Sequence, residues 1–146
     1  MISYTSEGGF NLIKKFEGFM GAPYTCAGGK KTIGYGHVML DGEEWQTISE
    51  ESAEEILRQD LCISEQAVLR NINVSLCQNQ FDALVSLTFN IGSAALQRST
   101  LRQKINVNAA TDEITHEFMR WVYAGGRALA GLAKRRCEEA RLYSQN

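Results

Sequence analysis

Glu17, Cys26 and Thr32 are the side chains of this chain whose types and spacing suit a reaction. Eight residues separate the Glu from the Cys, and five separate the Cys from the Thr. Glu17 closes an amphipathic helix, while Cys26 and Thr32 fall in a glycine-rich stretch that reads as short strands and turns. A lone carboxyl aimed across a cleft at a thiol and a hydroxyl can protonate a leaving oxygen while the other two handle water. That is the chemistry of sugar-chain hydrolysis.

Each residue also has a plainer reading. Glu17 could be an ordinary solvated helix end, but Phe16, Phe19 and Met20 flank it, and desolvation by such neighbours favours the protonated carboxyl of a general acid. Cys26 could be a small buried hydrophobe. In glycosidases a second carboxylate normally fills this role. A thiol, with a reference pKa of about 8.5, is a poorer base near neutrality, and an ionised Glu17 is expected to push it higher. Thr32 alone would be an ordinary strand residue. His37 reads as a packed or hydrogen-bonded group rather than a ligand. His116-Glu117 lacks a second His at zincin spacing, so no metal site is expected.

The elements that must position these groups can be read from the hydrophobic pattern. Thr5 or Ser6 caps a helix carrying Phe10, Ile13 and Phe16, and Gly18 stops it. Residues 19–40 hold five of the 13 glycines and the only proline, Pro23. There Tyr24, Thr25, Thr32, Ile33 and Tyr35 predict a small antiparallel sheet with a turn near Ala27-Gly28-Gly29. A long helix follows from about Ser49, with Thr47 and Glu50 spaced for a capping box. Its apolar stripe comprises Ala53, Ile56, Leu57, Leu61, Ala67, Val68 and Ile72. From Phe81 to Ile91 the pattern is apolar nearly all round, which marks a buried central helix ended by Gly92. Shorter pieces begin near Ser99 and Thr111, and a last helix runs from about Leu132 to Tyr143. The fold class is α+β.

Composition narrows the class further. The 146 residues suit one domain, and 44% hydrophobic with 22% charged content is that of a soluble globular protein. The net charge of −2 hides an asymmetry: residues 40–66 carry nine acidic and one basic side chain, whereas residues 98–146 carry nine basic and five acidic. The choice is between solvated helix faces and a positive face turned to an anionic polymer. No nucleic-acid motif appears, and the pI of about 5.7 argues against such a partner. Cys26, Cys62, Cys77 and Cys137 are too far apart for a paired metal or redox motif, and free thiols in a reducing cytoplasm are expected. Neither a signal peptide nor a run of 18 apolar residues is expected.

Phe16-Glu17-Gly18, Tyr24-Thr25-Cys26 and Lys31-Thr32-Ile33-Gly34-Tyr35-Gly36-His37 together resemble the phage-type lysozymes, glycoside hydrolase family 24. Most members carry Asp where Cys26 stands, and a subset carry Cys. The resemblance continues through Asn79-Gln80-Phe81-Asp82-Ala83-Leu84, Phe89-Asn90-Ile91-Gly92, Ser99-Thr100-Leu101, Arg120-Trp121, Ala124-Gly125-Gly126 and Lys134-Arg135-Arg136. It covers nearly the whole chain.

The resemblance implies a lysozyme-like single domain over 1–146, with a small β-containing N-terminal lobe (about 13–60) and a larger helical lobe (1–12 with 72–146). A connecting helix over about 49–72 joins the lobes, with the cleft between them. Glu17 would be the acid, and Cys26 with Thr32 would orient the attacking water, with inversion at C1 favoured over direct thiol attack. His37 would form a structural ion pair with Asp60. Phe89, Asn90 and Ser99 or Thr100 would border the substrate. Arg135 and Arg136 read as a solvated basic patch, or one of them approaches Glu17. The implied substrate is the β-1,4 bond between N-acetylmuramic acid and N-acetylglucosamine in peptidoglycan, cleaved without a cofactor. The implied protein is a monomeric endolysin, made in the host cytoplasm and released to the periplasmic wall by a holin. A lytic transglycosylase and a non-catalytic wall-binding or tail protein are the rival readings.

Overall fold

The computed structural model describes residues 2–26, 28–43 and 46–145. Its elements run α1 (Glu7–Glu17), β1 (Met20–Thr25), β2 (Lys31–Gly34), β3 (His37–Val38), α2 (Glu50–Asn71), α3 (Gln78–Ile91), α4 (Ser93–Arg98), α5 (Thr100–Asn106), α6 (Thr111–Phe118), β4 (Tyr123–Ala124), β5 (Arg127–Ala128) and α7 (Ala130–Tyr143). The chain divides into two compact units, Asn11–Cys62 on one hand and Met1–Phe10 with Ile63–Asn146 on the other. The boundaries fall inside α1 and α2, so each of these helices contributes to both units.

The 11–62 unit is built on the antiparallel sheet β1-β2-β3. Tyr24 pairs with Thr32 and Thr25 with Lys31, while Thr32 pairs with Val38 and Ile33 with His37. The register slips between Met20 and Tyr24, the bulge that bends β1. Ile13, Ile33, Tyr35, Ala53 and Leu57 are buried. Two polar ties pin the start of α2 to this unit: the Tyr35 hydroxyl donates to Glu50 at 2.7 Å, and Lys14 meets Glu54 at 2.6 Å. The helix is capped by Ser49, whose hydroxyl accepts from the Ser52 N–H at 3.1 Å. The expected Thr47–Glu50 capping box is therefore replaced by a Ser49 cap, which leaves the Glu50 carboxylate for Tyr35. Ala27, at the expected hairpin turn, lies outside the described residues.

In the other unit α3 is the hub. Every residue from Phe81 to Thr88 is buried, and its main partner is α7. Phe118, Leu84, Leu87, Leu96 and Leu101 fill the core. The residues before α1 are tied in by two carboxylates. The Thr5 N–H and hydroxyl both donate to Glu65 at 2.7 Å, and the Ser6 N–H donates to Asp82 at 3.0 Å. The Ser6 hydroxyl also donates to Asp82. Ser6 caps α1 as well, since its oxygen accepts the Gly9 N–H at 3.3 Å.

Two elements escape the hydrophobic pattern: the six-residue α4 and the hairpin β4–β5. The hairpin turns on Gly125 and Gly126, with φ of 59° and 78°. Both values lie in the left-handed region that two-residue hairpin turns require.

Candidate active site

Glu17, Cys26 and Thr32 all belong to the 11–62 unit, and separate elements deliver them. Glu17 is the last residue of α1, where Gly18 takes a left-handed φ of 72° and its N–H caps the Lys14 carbonyl at 2.9 Å. The carboxyl is half-buried and lies against Gly36. A Cβ built on Gly36 would stand 2.6 Å from Glu17 Oε1. Phe19 and Met20, expected to dry the carboxyl, are themselves 39% and 46% exposed, and the Phe19 ring packs on Tyr35 instead.

Cys26 sits where the β1–β2 ladder closes. Its N–H donates to the Lys30 carbonyl at 2.9 Å, and its own carbonyl accepts from the Gly29 N–H at 2.8 Å. The thiol lies below its ordinary pKa. The largest cause is the Lys30 backbone N–H, followed by the Thr32 side chain and the Gly28 backbone, with desolvation opposing them weakly. The expected upward push from Glu17 is overturned, because hydrogen bonds from the hairpin turn dominate at this sulfur. Thr32 is 3% exposed, and its hydroxyl also reaches the Lys30 carbonyl at 3.1 Å. Its single proton can serve either that carbonyl or the ionised sulfur. A turn that points N–H groups at an anion is a general device for stabilising negative charge.

Tyr24 belongs to the same cluster and was not anticipated. It lies directly across from Thr32 and two residues before Cys26, so strand parity puts all three side chains on one face. Its phenol is pushed above the ordinary value, first by burial and then by the charges of Glu17 and Cys26. The signal available in the sequence was the spacing Tyr24-Thr25-Cys26, in which the alternation of a strand already couples the first and third residues.

His37 falls on the opposite face of the sheet by the same parity. Its Nδ1 lies 2.7 Å from Asp60 and its Nε2 lies 3.3 Å from Glu43. The imidazole is held above its ordinary pKa. Burial, the largest influence, acts downward, but it is outweighed by the combined hydrogen bonds and charges of Asp60 and Glu43.

Phe89, Asn90 and Ser99 lie in the other unit. Phe89 is half-buried, and the Asn90 side-chain oxygen accepts from Arg136. Ser99 is the N-cap of α5. Its hydroxyl accepts from the Arg102 N–H at 3.0 Å and donates to the Leu96 carbonyl at 2.7 Å, which spends its one proton and leaves a single acceptor lone pair. Thr100, Arg98, Arg120 and Trp121 share with it a cavity of about 320 Å³. Arg135 and Arg136 are buried rather than forming a solvated patch, because α7 turns them toward α3. Arg135 donates to Glu139 at 3.1 Å and to the Ser86 carbonyl at 3.1 Å, and Arg136 lies 3.1 Å from Glu139. Among the described residues no three His, Cys, Asp or Glu side chains group to hold a metal ion, and no helix is long and apolar enough to cross a membrane. The four cysteines are free thiols.

This combination of a small sheet, a buried central helix and a helix-ending glutamate over a glycine-rich hairpin is a lysozyme-like α+β fold. The muramidase domain of SpmX from Asticaccaulis excentricus superposes with a TM-score of 0.90 at 34% identity, over 99% of this chain and 100% of that one. The phage lysozyme family model matches residues 14–139, and the chain belongs to that family. It is 41% identical to the endolysin of Acyrthosiphon pisum secondary endosymbiont phage 1, over 96% of this chain and 97% of the relative. It is also 42% identical to the endolysin of Bacillus phage B103 over 94% of this chain. There it spans only 53% of the relative, so the chain is about half the length of that protein.

Proposed function

We propose that the chain hydrolyses the β-1,4 bond between N-acetylmuramic acid and N-acetylglucosamine in peptidoglycan, lysing a bacterial host. The observation that carries this reading is the presence, in one unit, of a carboxyl set against Gly36 and of a thiol that the Lys30, Gly28 and Cys26 backbone N–H groups and the Thr32 hydroxyl favour as thiolate. Membership of the phage lysozyme family, endolysin relatives and a muramidase domain of the same fold support it. Glu17 delivers its proton to the glycosidic oxygen as the C1–O bond breaks. A water held by Thr32 adds to C1 from the other face of the sugar, giving its proton to the Cys26 thiolate, and the anomeric configuration inverts. No cofactor enters the reaction.

The lowered thiol also supports a second route, a double displacement that cleaves the same bond with retention of the anomeric configuration. Cys26 sulfur attacks C1 while Glu17 protonates the leaving oxygen, and water then hydrolyses the thioglycoside with Glu17 taking up the water's proton. We further infer a monomer that reaches the periplasmic wall from the host cytoplasm through a holin-type lesion, in keeping with the family resemblance. His37 with Asp60 is assigned a structural role, and Phe89, Asn90 and the Ser99–Thr100 corner are assigned to the substrate.

The test is Glu17→Gln on purified sacculi. The amide is nearly isosteric but cannot donate the proton, so release of reducing ends should fall by about 10²–10⁴. Release above about a tenth of the parent rate would remove Glu17 from the acid role, since general acid catalysis exceeds that margin. Products ending in 1,6-anhydro sugars would replace hydrolysis by lytic transglycosylation.

A further inference from the structure

We propose that Tyr24 is a positioning residue of the site, its phenol holding the attacking water together with Thr32 beside Cys26. The inference rests on the hydrolytic reading above. Three observations carry it. The register sets Tyr24 directly opposite Thr32, and directly opposed side chains on one face of an antiparallel pair stand about 4.5–5.5 Å apart at Cβ. Cys26 follows two residues later on that same face, where the ladder continues through its N–H bond to the Lys30 carbonyl. The phenol is half-buried among these groups, yet among the described residues its hydroxyl makes no hydrogen bond to the protein.

The surroundings show why a hydroxyl suits this place. Glu17 comes from the end of α1 and Cys26 from the hairpin, and both bear negative charge when ionised. From β2, Thr32 faces Tyr24, whereas Lys31 pairs with Thr25 and so lies on the other face. Lys30 closes the hairpin. From β3, Val38 stands in line with Thr32, while His37 with its carboxylates points away. A phenol beside two acids keeps its proton, as the upward shift of Tyr24 under burial, Glu17 and Cys26 requires. It therefore adds a second neutral donor and acceptor, beside Thr32, to a site where Glu17 and Cys26 change charge. Thr32 alone has one proton, contested between the Lys30 carbonyl and the sulfur. A second hydroxyl fixes the water in two directions instead of one, and orientation of this kind raises kcat more than it lowers KM.

The experiment is a double-mutant cycle on reducing-end release from purified peptidoglycan, with Tyr24→Phe and Thr32→Val alone and together. Y24F keeps the ring, so thermal stability should stay at the parent value, which circular dichroism reads. Its kcat should fall about tenfold with KM changed less than about twofold. The combined variant should be little worse than the poorer single variant, because one water has been released in each. Y24F at the parent rate, or single effects that multiply in the double variant, would overturn the proposal while leaving hydrolysis by Glu17 in place. A drop in Tm that accounts for the lost activity of Y24F would assign Tyr24 to packing alone. A parent chain that releases no reducing ends would overturn the hydrolytic reading and this inference with it.

Discussion

Gly36 and Glu17 meet so closely that a methyl group on the glycine would lie 2.6 Å from the carboxylate Oε1 and 3.5 Å from its carbon. The glycine also holds a φ of 74°, in the left-handed region that L side chains resist. Two separate costs therefore fall on any substitution there, and one of them is charged directly to the acid.

Gly36→Ala should lose about 1–2 kcal/mol of stability from the backbone conformation alone. It should also displace Glu17 and cut lytic activity by tenfold or more, a loss of the size expected when a reacting group shifts by about 1 Å. Urea denaturation and a turbidity assay on outer-membrane-permeabilised cells check the two parts. Gly28→Ala is the control: its Cβ would sit 3.8 Å from the Cys26 sulfur, an ordinary contact. Equal activity in the two variants would show that Gly36 does not shape the acid.

Cys26→Asp should keep or raise activity, since it restores a carboxylate at the place of the base, whereas Cys26→Ala should lose much of it. Iodoacetamide should inactivate the parent and spare C26D. The pH midpoint of Cys26 alkylation, followed by peptide mass, should lie below that of a small reference thiol, because the Lys30 N–H, Thr32 and the Gly28 N–H favour the thiolate. Peptide mass is needed because Cys62, Cys77 and Cys137 are all exposed. A midpoint above the reference would contradict the hydrogen-bond geometry of the hairpin. A glycosyl adduct on Cys26 with a slow substrate would select the direct thiol route.

His37 sets a pH dependence of stability with a definite sign. Its folded pKa is raised, so the folded chain binds more protons than the unfolded one between the unfolded value, about 6.5, and the higher folded value. The His37 contribution is complete below that window and declines as pH rises through it. Asp60→Asn should flatten this decline, which urea titrations between about pH 5.5 and 8.5 would reveal. An unchanged slope in D60N would mean that Asp60 does not hold the imidazolium.

Gly9→Ala separates packing from helix propensity. Propensity alone forecasts a gain of about 0.5–1 kcal/mol in a helix interior. The structure forecasts the opposite, because the new Cβ would fall 2.6 Å from the Asp82 carboxyl carbon, and overpacking of a buried site costs about 1–3 kcal/mol. A lowered denaturation midpoint supports the structural forecast, and a raised one rejects it.

The long elements were legible because burial repeats along them. Ala53, Leu57, Leu61, Ala67 and Val68 trace α2, and the continuous run from Phe81 to Thr88 marks the hub helix. Glu17, Cys26 and Thr32 were legible as a set through their spacing, and the structure places them in one unit. What the sequence concealed was decided by partners distant along the chain. Ser49 caps α2 through the Ser52 N–H, and the Glu50 carboxylate meets the distant Tyr35 instead of closing a capping box. Arg135 and Arg136 read as surface charges until Glu139, Ser86 and Asn90 came within reach. The sign of the Cys26 shift was hidden for a similar reason, since backbone N–H groups carry it and no side-chain letter records them.

The pairing of Thr5 with Glu65 and of Ser6 with Asp82 bears on the order in which the chain can assemble at the ribosome. The unit formed by Asn11–Cys62 is complete in sequence as soon as its last residue has left the exit tunnel. The other unit needs both ends: its first ten residues emerge early and must wait until Asp82 is translated, several seconds later at about 5–20 residues per second. During that interval the Thr5 and Ser6 donors are served by water. Codon changes that slow translation between residues 62 and 82 would lengthen the exposure of Phe10 and leave the finished molecule unaltered.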